Sequence, residues 1–135
     1  MKRRLGKIQK EWVKALEAHP ERQMKEALGQ GSPKDYKACC LGELLLVECR
    51  LKKKKLPFYD GTIMDKSEYG VSVSELQETY SKFGLRTESG RFTEAIVHNG
   101  ERFWSLVSLN DSGASWTDIA KIIKKNPEKI FTKSV

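Results

Sequence analysis

The sequence predicts an α+β fold in which three or four helices pack with a small antiparallel β-hairpin or sheet. Apolar residues recur at three- and four-residue spacing in several segments, which is typical of amphipathic helices. One Asn-Gly pair, Asn99-Gly100, separates two short apolar runs, and such a pair is the strongest short-range signal of a hairpin turn. With 135 residues, the chain is expected to form a single domain over residues 1–135.

The first helix is predicted from about Leu5 to Leu16 or Ala18, where apolar residues form one stripe. His19-Pro20 ends it, because the residue before proline avoids the helical region. A second, short helical piece is predicted over Glu21–Leu28 and is stopped by the glycines that follow.

The central core helix is predicted over Ala38–Leu51, because apolar residues there cover more than a narrow stripe. Ser32-Pro33-Lys34-Asp35 has the pattern of a helix start, with a serine cap and a proline in the first turn. Gly42 inside this helix costs about 1 kcal/mol relative to alanine. It therefore indicates close approach of another backbone or of a ligand.

The middle of the chain alternates weak and strong signals. A short strand is predicted near Thr62-Ile63-Met64, and a helix starting at Ser72–Gln77 is predicted to end at Gly84. The two strands of the hairpin are predicted over Arg91–Val97 and Arg102–Leu109.

The last helix is predicted over Trp116–Lys125. Ser115 and Asp118 have the spacing of a capping box, and Asn126-Pro127 ends the helical pattern. Gly113, just before it, is predicted at a positive φ angle in the turn.

The net charge of +7 is the strongest bulk signal, and the basic residues are clustered. They concentrate in residues 1–10, 50–55 and 121–133. Such clustering favours an anionic partner, which is a nucleic acid, a nucleotide or an acidic protein surface. A solvated, solubilising surface is the alternative. The basic run predicted to contact an anionic ligand is Lys52, Lys53, Lys54 and Lys55.

No transmembrane run and no secretion signal are expected, since no long apolar stretch is present. The three cysteines are therefore expected to be reduced thiols that pack as small buried hydrophobes. No metal-ligand spacing occurs, so neither a metal nor a cofactor is predicted.

A cysteine-dependent enzyme is one alternative. Cys39 and Cys40 are placed in the first turns of a helix, where the helix dipole favours a thiolate. His98 could serve as the base, and Asn110 or Asp111 as the residue that orients it. The position of His98 beside the hairpin turn argues against this, and no catalytic residue is predicted.

Besides the lysine run, two further groups of residues are predicted to contact a ligand. Asn110 and Asp111 are expected between a strand and a helix, where polar side chains and free N–H groups converge. Arg91, Arg102 and Trp104 give the hairpin an aromatic and cationic surface suited to stacking on a base. The alternatives are a purely structural loop and packing of both hairpin faces against helices.

Three motifs carry a resemblance to a known group of proteins. They are Trp-Val-x-Ala-Leu at 12–16, Cys-Cys-Leu-Gly at 39–42, and Leu-Asn-Asp-x-Gly-x-Ser at 109–115 with the helix start that follows it. Together they resemble a family of small proteins encoded by bacteriophages and prophages. The chain departs from the family pattern at Glu43, at Leu45 and in the lysine run.

The resemblance implies a small accessory protein that acts in the host cytoplasm against a host system. Combined with the charge, it predicts a non-enzymatic, counter-defence or host-takeover protein that binds a nucleotide signal or nucleic acid. A protein–protein inhibitor of a host defence or regulatory enzyme is the second hypothesis, and a cysteine-dependent enzyme is the third. The sequence leaves the oligomeric state open.

Overall fold

The computed structural model describes residues 4–25, 28–54, 56, 58–59, 61–63 and 78–135. The architecture is α+β, as predicted. Over the described residues it contains the helices α1 (Lys7–Ala18), α2 (Cys40–Leu51), α3 (Leu106–Ser112), α4 (Trp116–Lys125) and α5 (Pro127–Ile130), with a 3₁₀ turn at Pro20–Arg22. The strands are β1 (Gly29–Ser32), β2 (Asp35–Ala38), β3 (Phe58–Tyr59), β4 (Thr62–Ile63), β5 (Arg91–His98) and β6 (Glu101–Ser105).

The strands form two antiparallel sheets. Four short strands are ordered β2-β1-β4-β3, and β1 pairs with β2 from Gly29↔Ala38 to Ser32↔Asp35. The second sheet is the β5–β6 hairpin, in which Val97 lies opposite Arg102. Asn99 and Gly100 both adopt positive φ, of 51° and 80°, which confirms the predicted turn.

Helix α2 lies at the centre of the core. Its residues Cys40–Val47 are all buried, and it packs against α1 and α3. Gly42 lies against the backbone of Leu28, whose carbonyl oxygen occupies the place that a Cβ atom would take. The predicted close approach at Gly42 is therefore confirmed, and the neighbour is backbone.

Several element predictions are confirmed. Helix α1 ends at Ala18, just before His19-Pro20, and α4 spans Trp116–Lys125 as predicted. Ser115 Oγ accepts a hydrogen bond of 3.1 Å from the Asp118 backbone N–H. Gly113 has a φ of 103°. The short strand near residue 62 is present as β4.

Three element predictions are wrong. In the described part of the segment Glu21–Leu28, the only helical turn is the 3₁₀ turn that ends at Arg22, because Gln23 and Met24 pair with the backbone of Ala38 instead. Ser32-Pro33-Lys34-Asp35 is the turn of the β1–β2 hairpin, and α2 starts only at Cys40, with Cys39 as its cap. The strand predicted to continue to Leu109 ends at Ser105, which caps α3.

The predicted helix start at Ser72–Gln77, and Met64, lie outside the described residues. Residues 78–81 are helical, and Gly84 adopts a φ of 85° shortly after them. None of the helices within the described ranges is long and apolar enough to cross a membrane.

Candidate functional site

The residues of the three sequence motifs meet at the first turn of α2. Trp12 Nε1 donates to the Cys40 carbonyl oxygen at 2.8 Å, and Asn110 Oδ1 accepts from the Cys40 backbone N–H at 3.2 Å. Tyr80 donates its hydroxyl to the Leu41 carbonyl at 3.1 Å. Side chains from distant parts of the chain therefore fix the start of the core helix.

Asn110 is the centre of this network. Its side chain is fully buried, and it lies within α3 rather than between a strand and a helix as the sequence suggested. Its Oδ1 also accepts from Trp116 Nε1 at 3.3 Å and from Gln23 Nε2 at 3.2 Å, while its Nδ2 donates to the Met24 carbonyl at 2.7 Å. Both polar atoms of the amide are therefore engaged inside the protein.

A pocket of about 210 Å³ lies beside this network. It brings together the cysteine pair and the Asn-Asp pair that the sequence singled out. Its wall is lined by Leu28, Cys39, Cys40, Leu41, Glu88, Val107, Asn110 and Asp111. The pocket is small, and three of its lining residues, Cys39, Cys40 and Asn110, already take part in hydrogen bonds that fix the start of α2.

Burial disfavours the thiolate form of the two thiols in this wall. Burial raises the pKa of the Cys39 thiol and raises that of Cys40 well above its ordinary value, against the expectation of a thiolate at a helix start. Cys39 Sγ instead accepts from the Gly42 backbone N–H at 3.3 Å, as a helix cap. His98 lines a different pocket, near Asp118, and its Nε2 lies 3.7 Å from the Asp118 carboxylate.

We expect Cys40→Ser to lower the free energy of unfolding by about 1–3 kcal/mol, since a hydroxyl would replace a fully buried thiol. The measurement is urea unfolding of both proteins. Labelling by iodoacetamide at pH 7 should be slow at this thiol in the folded protein, because its raised pKa keeps it protonated. Rapid labelling of Cys40 in the folded state would revive the cysteine-enzyme hypothesis.

The outer face of the β5–β6 hairpin gathers the second group of predicted ligand residues. Trp104 is 49% exposed, and the guanidinium carbon of Arg91 lies 6.0 Å from the centre of its ring. Alternation along β6 places Arg102 on the same face, opposite Val97, which is 63% exposed. The inner face instead packs Phe92, Ile96 and Phe103 into the core.

The carboxylates of the hairpin are directed away from this outer face. Glu101 lies opposite His98 and lines the pocket beside Asp118. The Glu94 carboxylate lies 3.9 Å from Lys129 Nζ of α5. The outer face therefore combines an exposed indole with two guanidinium groups.

The described residues of the lysine run lie at the C-terminal end of α2. Lys52, Lys53 and Lys54 are exposed, and Lys55 lies outside the described residues. Lys52 Nζ lies 3.6 Å from the Glu48 carboxylate, one turn earlier in the helix. Lys53 adopts a positive φ of 54° where the helix ends.

An ion pair on α2 between a buried carboxylate and an exposed arginine was not predicted as part of any site. Glu43 is fully buried, and Arg50 Nη1 donates to its Oε1 at 3.0 Å. The Tyr36 hydroxyl donates to Glu43 Oε2 at 2.7 Å and accepts from Arg50 Nη2 at 2.6 Å. The sequence signal was Glu43, the one carboxylate in the apolar run 40–47, seven residues before Arg50.

A comparison with known families assigns the chain to one of them. A family described as a domain of unknown function, DUF8296, matches residues 1–127. The chain belongs to this family. No curated protein and no solved structure matches it.

The DUF8296 match spans all three motifs, the hairpin and the α1–α2 region. In the described part of this DUF8296 domain, no group of three or more His, Cys, Asp or Glu side chains could hold a metal ion. The structure unites Arg91, Arg102 and Trp104 on one face. It places Asn110 and Asp111 at the small pocket instead, and Lys52, Lys53 and Lys54 at the end of α2.

Proposed function

We propose that this DUF8296 domain is a phage-encoded, non-enzymatic protein that binds single-stranded nucleic acid through the outer face of the β5–β6 hairpin. The observation that carries the proposal is the half-exposed Trp104 ring with Arg91 over it and Arg102 on the same face. The resemblance of the motifs to phage and prophage proteins supports a role in counter-defence or host takeover in the host cytoplasm.

The chemistry of this face suits unpaired bases. Every base offers a π-face that stacks on an exposed aromatic ring, and arginine adds both a stacking plane and a charge for the phosphate. A duplex would keep its bases stacked inside, so it could not use the Trp104 ring in this way. The net charge of +7 supports association with a polyanion of either kind.

Trp104→Ala should weaken binding of a fluorescently labelled oligothymidine by roughly 5- to 150-fold. This range corresponds to about 1–3 kcal/mol for one base stacked on an aromatic side chain. Fluorescence anisotropy at fixed salt measures the change. Trp12 and Trp116 are fully buried, so quenching of the tryptophan emission on binding should report Trp104 alone.

Two control variants separate this face from general charge. Arg102→Gln should weaken binding and flatten its salt dependence, whereas Lys121→Gln, at an exposed position of α4, should leave the affinity nearly unchanged. If Arg102→Gln and Lys121→Gln lost equal amounts of oligothymidine affinity, and Trp104→Ala bound as tightly as the wild type, a stacking platform on the hairpin would be refuted.

The same face supports a second candidate, a protein–protein inhibitor of a host enzyme. Tryptophan and arginine dominate interface hot spots, and exposed Val97 extends the apolar area beside them. Val97→Ser distinguishes the two functions, because it removes apolar area without adding a charge beside Arg102. It should weaken docking of a protein on the apolar patch, whereas oligothymidine affinity should change little while Trp104 and both arginines remain.

A further inference from the structure

A groove of about 520 Å³ runs between α1 and α2, apart from the hairpin face. Three cationic side chains line it, Lys14 of α1, Arg22 of the 3₁₀ turn and Arg50 of α2, together with one carboxylate, Glu11. Its volume is within the range of small-molecule sites. None of the residues on the outer face of the hairpin lines it.

The side chains of Arg22 and Arg50 are both held by hydrogen bonds to Tyr36. Arg22 Nη1 donates to the Tyr36 hydroxyl at 3.1 Å, and its guanidinium carbon lies 4.7 Å from the centre of the Tyr36 ring. Arg50 donates to the same hydroxyl and to the buried Glu43 carboxylate. Both guanidinium groups are therefore oriented by a buried tyrosine and do not depend on solvent-exposed partners.

This arrangement leaves cationic donors available to a ligand. Among the described residues, no carboxylate forms an ion pair with Arg22, and only the Tyr36 hydroxyl accepts from its five N–H groups. The negative charges nearby are already paired, since Glu11 lies 3.4 Å from Lys14 Nζ and Glu43 bonds Arg50 and Tyr36. His19, the remaining titratable group in the lining, lies 3.3 Å from Glu21.

The groove also has an apolar wall. Ala15 and Ala18 come from α1, and Val47 and Leu51 from α2, with the Leu51 side chain 39% exposed. A ligand that fits both parts needs an anionic group for the arginines and a flat or apolar group for this wall. A planar guanidinium pairs bidentately with phosphate, which favours a phosphate ester over a simple halide-like anion.

We propose that the α1–α2 groove binds a phosphate ester of nucleotide size, with its phosphates on Arg22 and Arg50 and its apolar part on the Ala18–Leu51 side. This site is separate from the proposed nucleic-acid face and uses none of its residues. The two proposals therefore stand or fall independently.

Isothermal titration calorimetry with ADP as the probe tests the groove in the full chain. ADP should bind the wild type, and Arg22→Gln should weaken it by about tenfold or more, because a charged bidentate partner is lost. Inorganic pyrophosphate should bind more weakly than ADP, since it has no group for the apolar wall. Equal affinities for ADP and pyrophosphate would overturn the assignment of that wall.

Matched variants keep the test independent of folding. Arg50→Gln would leave Glu43 buried without its cation, so Arg50→Lys is used instead, and it should weaken ADP while the protein stays folded by circular dichroism. Lys125→Gln removes an exposed charge outside the groove and should leave ADP affinity unchanged. ADP binding that persists in Trp104→Ala is assigned to the groove, whereas ADP binding that this variant abolishes belongs to the hairpin face and would overturn the proposal. Absence of ADP binding to folded wild-type protein at millimolar concentration, or equal binding by Arg22→Gln, would overturn the proposal.

Discussion

Gly42→Ala should lower the free energy of unfolding by about 3 kcal/mol or more, and the melting temperature by roughly 10 °C. A Cβ atom on Gly42 would overlap the Leu28 carbonyl oxygen and lie 2.8 Å from its carbonyl carbon. The same oxygen accepts the Cys39 backbone N–H at 3.1 Å, so moving it aside would also disturb the cap of α2. Thermal unfolding followed by circular dichroism measures the effect.

The sign of this effect makes the test decisive. In an ordinary helix interior, glycine to alanine stabilises by about 1 kcal/mol. Cys49→Ala, a small substitution at a half-buried position of the same helix, should change stability far less. A Gly42→Ala protein as stable as the wild type would mean that the Leu28 backbone moves freely away from α2.

The elements that the sequence predicts correctly are those whose local pattern is compatible with only one kind of secondary structure. The Asn99-Gly100 turn needs positive φ at both residues, and few other contexts favour that pair. Helix α4 has a serine cap, an amphipathic stripe and a proline stop, and all three agree on its bounds. In these segments, local preference and tertiary packing point to the same structure.

The β1–β2 hairpin is not predicted from the sequence, because the residues of its turn are compatible with two different structures. Ser32-Pro33-Lys34-Asp35 satisfies the capping pattern of a helix start, and it equally satisfies a type I turn with proline in the second position. The structure shows that the segment forms the turn, because Gly31 pairs with Tyr36 across the hairpin. This pairing depends on contacts that the local sequence does not encode. The hairpin in turn places Tyr36 over the Glu43–Arg50 pair.

The boundary between β6 and α3 shows a related ambiguity. A run of serine, leucine and valine suits a strand and a buried helix equally, so the pattern predicts a strand that continues to Leu109. The structure starts α3 at Leu106, with Ser105 Oγ accepting the Ser108 backbone N–H at 3.1 Å. The serine spacing was the available signal.

The sequence predicts the residues of the hairpin face but not those of the α1–α2 groove, because only the former follow from a local pattern. Alternation in a strand is local, and it places the neighbouring Phe103 and Trp104 on opposite faces, of which Trp104 faces outward. The groove depends on Arg22, Tyr36 and Arg50, which come from a 3₁₀ turn, a strand and a helix. No spacing in the sequence connects them, so only the tertiary structure reveals the groove.

Asn110→Ala should be among the most destabilising single substitutions, at roughly 3–5 kcal/mol. It would leave the Cys40 N–H and the Trp116 indole N–H without their buried acceptor, and the Met24 carbonyl without its donor. Urea unfolding measures the loss. Ser112→Ala, which removes one local hydrogen bond to the Leu109 carbonyl in the same helix, should cost far less.

A double-mutant cycle shows whether these bonds act as one network. Gln23 donates to Asn110 Oδ1 at 3.2 Å and also accepts the Trp116 backbone N–H at 3.1 Å, so the effects of Gln23→Ala and Asn110→Ala on the free energy of unfolding should couple by about 0.5–3 kcal/mol.

Because both polar atoms of the Asn110 amide are engaged internally, the oligothymidine affinity of Asn110→Ala, per folded molecule, should remain that of the wild type. A loss of affinity larger than the loss of folded protein would instead make Asn110 a ligand residue, as its sequence motif first suggested.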